Sequence, residues 1–176
     1  MLTQSISKNS LILAAFALVT AGILAVTFQA TAERIAKEER KAAQAALLEI
    51  VPANRHDNDM LSHTFSIPQN LLAELGLKNN ANIHLAYSNG EPVAAIVPAL
   101  APDGYSGDIK LIIGINADGS LAGVRVLTHK ETPGLGDKID LRKSDWILGF
   151  NGKSLTNPNI EHWAVKKDGG HFDQFT

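Results

Sequence analysis

The sequence contains 176 residues, of which 45% are hydrophobic and 19% are charged, and 16 Lys and Arg against 18 Asp and Glu give a net charge of −2. This balance is not typical of nucleic-acid-binding proteins, which present a basic face, and the apolar content is too high for a disordered chain. Cysteine is absent from these residues, which excludes disulfides, thiolate metal sites, Cys-ligated iron–sulfur clusters and a cysteine nucleophile.

An uncharged run of twenty residues, 11–30 (LILAAFALVTAGILAVTFQA), lies close to the N-terminus. At about 1.5 Å per residue, a helix of this length crosses a hydrocarbon core of roughly 30 Å. A cleaved signal peptide is the alternative, because residues 30–32 form an A-x-A pattern, but the apolar part of a signal peptide usually has only about 7–15 residues. The sequence therefore predicts a short N-terminal segment, 1–10, and an uncleaved transmembrane helix over 11–30.

Residues 31–52 predict a helical stalk, because apolar side chains recur there at spacings of three, four and seven and Pro52 ends the pattern. A helix that binds a partner is the alternative for this segment. Lys8 precedes the apolar run, whereas four basic residues follow it between 34 and 41. The positive-inside rule alone would place the downstream domain in the cytoplasm, although three Glu residues are interleaved with these charges.

The domain that follows, 53–176, changes from helical to strand patterning. Residues 69–77 predict a short helix that Gly76 ends, and four strands are predicted at 83–87, 93–97, 109–115 and 124–128. Short turns at 88–90 and 116–119 favour an antiparallel meander. Ser144 is a candidate N-cap for a short helix over 146–148, and 163–166 predicts one more strand. The predicted fold class is α+β, with one N-terminal transmembrane helix and an antiparallel sheet covered by helices.

Six histidines are scattered without the H-x-x-x-H spacing of a helical metal site, and no G-x-S-x-G, Walker A or G-x-G-x-x-G motif is present. We therefore predict no metal site and no hydrolase or Rossmann chemistry. The unusual stretch is the loop 129–137 (HKETPGLGD), directly after the last predicted strand. Its proline and two glycines predict successive open backbone N–H groups, which suit a planar ring or a phosphate. An ordinary Pro-Gly turn is the alternative.

Three segments together carry a resemblance: 101–107 (APDGYSG), 129–138 (HKETPGLGDK) and 163–170 (WAVKKDGG). They resemble the FMN-binding domain of the G subunit of Rnf-type (Rsx-type) ion-translocating electron-transport complexes, and the resemblance covers essentially the whole chain. The C subunit of the sodium-translocating NADH:quinone reductase is similar to a lesser degree and shares the loop ETPGLG. A third interpretation is a redox-inactive scaffold module anchored in the membrane.

The resemblance implies a flavoprotein of the bacterial inner membrane that carries electrons through FMN, as a subunit of a larger complex rather than as a stand-alone enzyme. It implies a periplasmic domain, against the weak charge signal, and it implies the other subunits of the complex and a flavin transferase as partners. The transferase would join the FMN phosphate to the last residue of the motif D-x-x-S/T-G-A-T/S. Residues 173–176 match its first four positions, so we expect a sequence truncated three residues before the acceptor threonine.

The same resemblance assigns residues to the cofactor. Tyr105 and Trp146 are further candidates to flank the flavin ring, and a place in the core is the alternative for both. The predicted cofactor-binding residues are Glu131, Thr132, Pro133, Gly134, Leu135, Gly136, Asp173 and Thr176.

Overall fold

The computed structural model describes residues 2–174, with side chains from residue 8 onward. It forms two compact units that divide between Ala42 and Ala43. Helix α1, Leu2–Ile50, forms the first unit up to Ala42, and its last eight residues belong to the second unit. Within the described residues, α1 is the one helix long and apolar enough to cross a membrane. Its apolar side chains between 11 and 28 are exposed, as a lipid-facing helix requires.

The second unit is built on a five-stranded antiparallel sheet in the order β1-β2-β3-β4-β5. The strands are β1, Thr64–Ser66; β2, Asn82–Ser88; β3, Glu91–Ala101; β4, Ile109–Asn116; and β5, Leu121–Thr128. Asn89 and Gly90 join β2 to β3 with φ values of 53° and 82°, the left-handed backbone that a tight hairpin turn needs. The predicted α+β class and its four strands are confirmed, and β1 is an addition that the sequence did not predict.

One face of the sheet packs against the C-terminal end of α1. Leu47, Ile50 and Val51 are buried there together with strand residues such as Ile96 and Ile112. Glycine in β4 permits this packing: a Cβ atom on Gly114 would lie 2.2 Å from Cγ2 of Ile50.

A buried cation also ties the helix end to β5. Arg125 is 9% exposed, and it donates from Nε to the Glu49 carboxylate at 3.1 Å and from a terminal nitrogen to the Glu49 carbonyl at 3.0 Å. The second bond satisfies a carbonyl at the end of α1 that has no partner within the helix. Position 125 is thus both a helix cap and a support for the sheet.

The opposite face is covered by short 3₁₀ helices, Gly136–Ile139, Asp145–Phe150, Ile160–His162 and Lys166–Asp168. The predicted cap is confirmed, because Oγ of Ser144 accepts the N–H of Trp146 at 3.2 Å. The predicted strand over 163–166 is wrong: Val165 forms a single bridge with Phe172, and a 3₁₀ turn follows directly. The predicted helix over 69–77 is shorter than expected, since α2 covers Gln69–Leu72.

Between the sheet and this 3₁₀ layer lies an apolar cavity of about 380 Å³. Strand side chains of β4 and β5 form its floor, and Trp146, Ile147 and Phe150 form part of its roof. Ile109 and Ile139 line this cavity and also the candidate site described next. The 3₁₀ layer therefore positions one wall of the site.

Candidate functional site

A cavity of about 410 Å³ opens where the turn before β4 meets the loop after β5. Its volume lies in the range of about 300–1,000 Å³ that is usual for small-molecule pockets. Aliphatic side chains, one aromatic ring and one carboxylate face it. The lining residues are Tyr105, Ile109, Glu131, Thr132, Leu135, Gly136 and Ile139.

The loop 131–137 is folded on itself. The carbonyl oxygen of Thr132 accepts the N–H groups of residues 135, 136 and 137 at 3.1–3.3 Å. The N–H of Gly134 donates to Oδ1 of Asp137 at 2.8 Å, and Gly134 has a φ of 79°, which favours glycine. The prediction of open N–H groups is therefore wrong: the N–H groups of residues 134–137 donate to acceptors within the loop.

Glu131 is buried at the start of this loop, with 8% of its surface exposed, as is Asp137 at its end. The backbone N–H of Glu131 donates to Nδ1 of His129 at 3.1 Å, and its Oε1 accepts the N–H of Ser106 at 3.1 Å. The carboxylate thus connects the two segments that form the walls of the cavity.

The remaining predicted residues fall into two groups. Thr132, Pro133, Gly134 and Leu135 are exposed along the loop, and Gly136 is half-buried. Asp173 lies elsewhere: its carbonyl accepts Nε1 of Trp146 at 2.8 Å, and its carboxylate pairs with Nζ of Lys166 at 2.5 Å. Thr176 lies outside the described residues.

The two aromatic residues predicted to flank the flavin, Tyr105 and Trp146, lie in different cavities of the structure. Tyr105 is 94% exposed and lines the mouth of the cavity, so it is not a core residue. Trp146 lines the apolar cavity behind the site instead. Sequence reasoning did not find Ile109 and Ile139, which line both cavities. Ile109 is the first residue of a predicted strand, but nothing in the sequence indicates that it lies close to Ile139.

Asp140 fixes the chain directly after the 3₁₀ helix Gly136–Ile139. Both of its carboxylate oxygens accept hydrogen bonds from the Arg142 guanidinium, at 2.5–3.1 Å. These bonds lower the pKa of Asp140 and raise the pKa of Arg142, so the pair stays ionised near neutral pH. The described residues contain no group of three or more His, Asp or Glu side chains that would hold a metal ion.

Comparison with known proteins gives two family matches. Residues 1–50 match the RnfG N-terminal region, and residues 104–176 match the FMN-binding domain. Every lining residue of the candidate cavity falls within the second match.

Similar proteins cover nearly the whole chain. The G subunit of the ion-translocating oxidoreductase complex of Pseudoalteromonas atlantica is 50% identical over 98% of this chain and 80% of its own length. The proteins of the same name from Vibrio atlanticus and Shewanella loihica are each 47% identical, over 98% of this chain and 81% of their own lengths. The chain belongs to the family of G subunits of ion-translocating oxidoreductase complexes. Of the two resembling families, the first is confirmed.

A G subunit with an FMN-binding domain needs a site for a planar, largely apolar ring that also carries polar edges. The cavity fits this group. Ile109, Leu135 and Ile139 supply apolar walls, Tyr105 supplies an aromatic ring at the mouth, and Glu131 supplies a carboxylate. Aromatic rings stack favourably in offset or edge-to-face arrangements, so Tyr105 is suited to contact a flavin.

Proposed function

We propose that this protein is a membrane-anchored flavoprotein subunit that carries electrons through FMN within an ion-translocating oxidoreductase complex. The observation that carries the proposal is the coincidence of the cavity with the FMN-binding family match at 104–176. The exposed apolar helix supports the anchor, and the names of the relatives support the complex and its other subunits as partners.

In this proposal the flavin ring occupies the cavity. When bound, FMN supplies one- and two-electron redox chemistry, whereas the protein sets its position and surroundings. Leu135, Ile109 and Ile139 exclude water from the ring, and Tyr105 covers it at the mouth. The loop Glu131, Thr132, Pro133, Gly134, Leu135 and Gly136 forms the wall against which the ring is oriented.

We further propose covalent attachment of FMN through its phosphate to a threonine three residues beyond Thr176. The support is the match of Asp173 and Thr176 to the first and fourth positions of the attachment motif. Asp173 is held by Trp146 and Lys166, which fixes the chain immediately before the motif's later positions. A flavin transferase is then a partner during maturation.

The attachment is tested by co-expression with a flavin transferase. Residues 1–176 are expected to remain unmodified, whereas a chain extended by Gly-Ala-Thr is expected to gain the mass of one FMN and to fluoresce in a gel. The matched control is an extension that ends in Ala instead of Thr, which should carry no flavin. Attachment at Thr176 itself would show that the motif is aligned wrongly by three residues. No flavin on any form would favour the scaffold interpretation.

We propose that the domain lies on the periplasmic side of the inner membrane, because FMN fixed by a covalent bond does not diffuse away where no cytosolic pool replaces it. A C-terminal alkaline phosphatase fusion is expected to be active and a green fluorescent protein fusion dark. The reverse pattern would place the domain in the cytoplasm, as the flanking charges alone suggest.

A further inference from the structure

The carboxylate of Glu131 lies between two turns that are 25 residues or more apart in the sequence. On one side, Oε1 accepts the N–H of Ser106 at 3.1 Å, within a turn that closes through the N–H of Gly107 and the carbonyl of Gly104 at 3.2 Å. On the other side, Oε2 faces the 3₁₀ helix that begins at Gly136. Tyr105 occupies the tip of the first turn.

Both turns carry a glycine at the point where they touch this carboxylate. A Cβ atom on Gly104 would lie 2.9 Å from Oε1 of Glu131, and one on Gly136 would lie 2.8 Å from Oε2. Neither glycine has a positive φ, so the backbone conformation does not require glycine at these positions. At Gly136 the Glu131 side chain fills the space that a Cβ atom would need, and at Gly104 the carboxylate shares that space with the carbonyl oxygen of Gly107, which a Cβ atom would approach to 2.2 Å.

The position of Tyr105 depends on its turn. Its side chain is 94% exposed, so packing against the rest of the domain does little to hold it. Of its flanking residues, Ser106 donates its N–H to Glu131, and Gly104 lies so close that an added Cβ atom would be 2.9 Å from the same oxygen. Without the bond to Glu131 the turn would keep its internal hydrogen bond between Gly107 and Gly104, but it would lose its connection to the loop and its residues would regain conformational entropy.

From these contacts we infer that Glu131 is a positioning residue that locks the Tyr105 turn against the loop 132–136 and so sets the width of the cavity. Its role for FMN rests on the proposed function, but the lock itself is a property of the protein without a ligand. A planar ring entering the cavity meets a turn whose backbone at Tyr105 is already held at the mouth, with the opposite wall held by the same carboxylate.

The lock is tested by amide hydrogen exchange at Ser106, measured by mass spectrometry on the full chain in detergent without FMN. Hydrogen bonds to charged groups contribute about 1.5–3 kcal/mol, so Glu131→Ala should speed exchange at Ser106 by on the order of 10-fold or more. Glu131→Gln keeps an acceptor oxygen at the same place and should restore most of the protection. The control is Glu74→Ala, which removes an exposed carboxylate on α2's C-terminal side and should leave Ser106 unchanged.

A second variant separates the lock from simple loss of a side chain. Gly136→Ala leaves Glu131 in place but forces its carboxylate to move, so it should also speed exchange at Ser106, while the same change in a Glu131→Ala background should add little. Unchanged exchange in either single variant would overturn the inference, as would a Gln variant as fast as the Ala variant.

A third experiment, on the extended and flavinylated chain, tests whether the Glu131 lock affects the exposure of the bound flavin. Glu131→Ala and Tyr105→Ala should increase quenching of FMN fluorescence by iodide by the same factor, within about two-fold, and the double variant should increase it no further. If Tyr105→Ala increases the quenching and Glu131→Ala does not, the positioning role is overturned. Because the exchange experiment uses no FMN, failure of flavinylation would contradict the proposed function and leave the lock standing.

Discussion

Substitution of Gly114 by Ala tests how the end of α1 seats on the sheet. The added Cβ atom would lie 2.2 Å from Cγ2 of Ile50 and 3.2 Å from Cβ of Ala122. Ile50 is 3% exposed, so its side chain has no solvent space into which it can move. Overpacking of this kind costs about 1–3 kcal/mol, which outweighs the roughly 0.5–1 kcal/mol that Ala gains over Gly in a regular element.

The assay is thermal unfolding of the full chain in detergent, followed by the circular dichroism of the sheet. The net cost is then about 0.5–2 kcal/mol. For a unit of this size 1 kcal/mol corresponds to roughly 3–4 °C, so Gly114→Ala should lower the Tm by about 2–8 °C. Gly149→Ala is the matched control, because a Cβ atom there meets nothing within 4 Å, and it should change the Tm by less than about 2 °C.

A double-mutant cycle identifies the cause. Ile50→Ala removes Cγ2 and on its own costs about 2–5 kcal/mol. In that background Gly114→Ala should cost almost nothing, which gives a coupling free energy of about 1–3 kcal/mol between the two positions. If Gly114→Ala costs the same in both backgrounds, or stabilises the wild type, the close packing of Ile50 on β4 is not what requires glycine.

Three further predictions concern charge and anchoring. Arg125→Met should reduce the free energy of unfolding, measured in urea, by about 1–3 kcal/mol, because it leaves the Glu49 carbonyl without its donor. Glu49→Gln changes a half-exposed carboxylate and should cost under about 1 kcal/mol in the same assay. Equal costs of the two variants would contradict the capping role. Because its folded pKa lies below the ordinary 3.8, Asp140 stabilises the fold when ionised, and this contribution is lost as the pH falls through the folded pKa. The Tm difference between Asp140→Asn and wild type should therefore shrink from about pH 6 to about pH 3, and a difference independent of pH would refute it. Alkaline extraction should leave the chain in the membrane pellet, whereas a soluble product beginning near Glu33 would indicate signal-peptide cleavage.

The sheet could be predicted from the sequence where turn chemistry and alternation agree. Asn89 and Gly90 define the β2–β3 hairpin by their backbone preference alone. Strand β1 could not be found this way, because all three of its residues are exposed and it has no alternating pattern. The predicted strand at 163–166 is wrong for a different reason. Nε1 of Trp163 donates to the carbonyls of Ser154 and Pro158, so Trp163 belongs to the layer that covers the sheet and not to a strand.

The candidate site, too, could be predicted from the sequence only in part. Its loop could be located because Pro and Gly residues rarely cluster without a structural demand, and the resemblance pointed to the same residues. The direction of the N–H groups could not be predicted, because it depends on one carbonyl, that of Thr132, accepting from three residues at once. The apolar walls of the cavity could not be predicted either, because Ile109 and Ile139 become neighbours only when β4 and the 3₁₀ layer pack together.

The internal bonding of the loop 132–137 has a thermodynamic consequence for any molecule that enters the cavity. A flexible binding loop loses conformational freedom when its ligand arrives, and that loss subtracts from affinity. Here the carbonyl of Thr132 and the carboxylate of Asp137 already hold the turn in the free protein. The loss of conformational entropy of this loop is therefore part of the free energy of folding and does not reduce the free energy of binding. A ring bound against this wall therefore keeps more of its contact free energy as affinity.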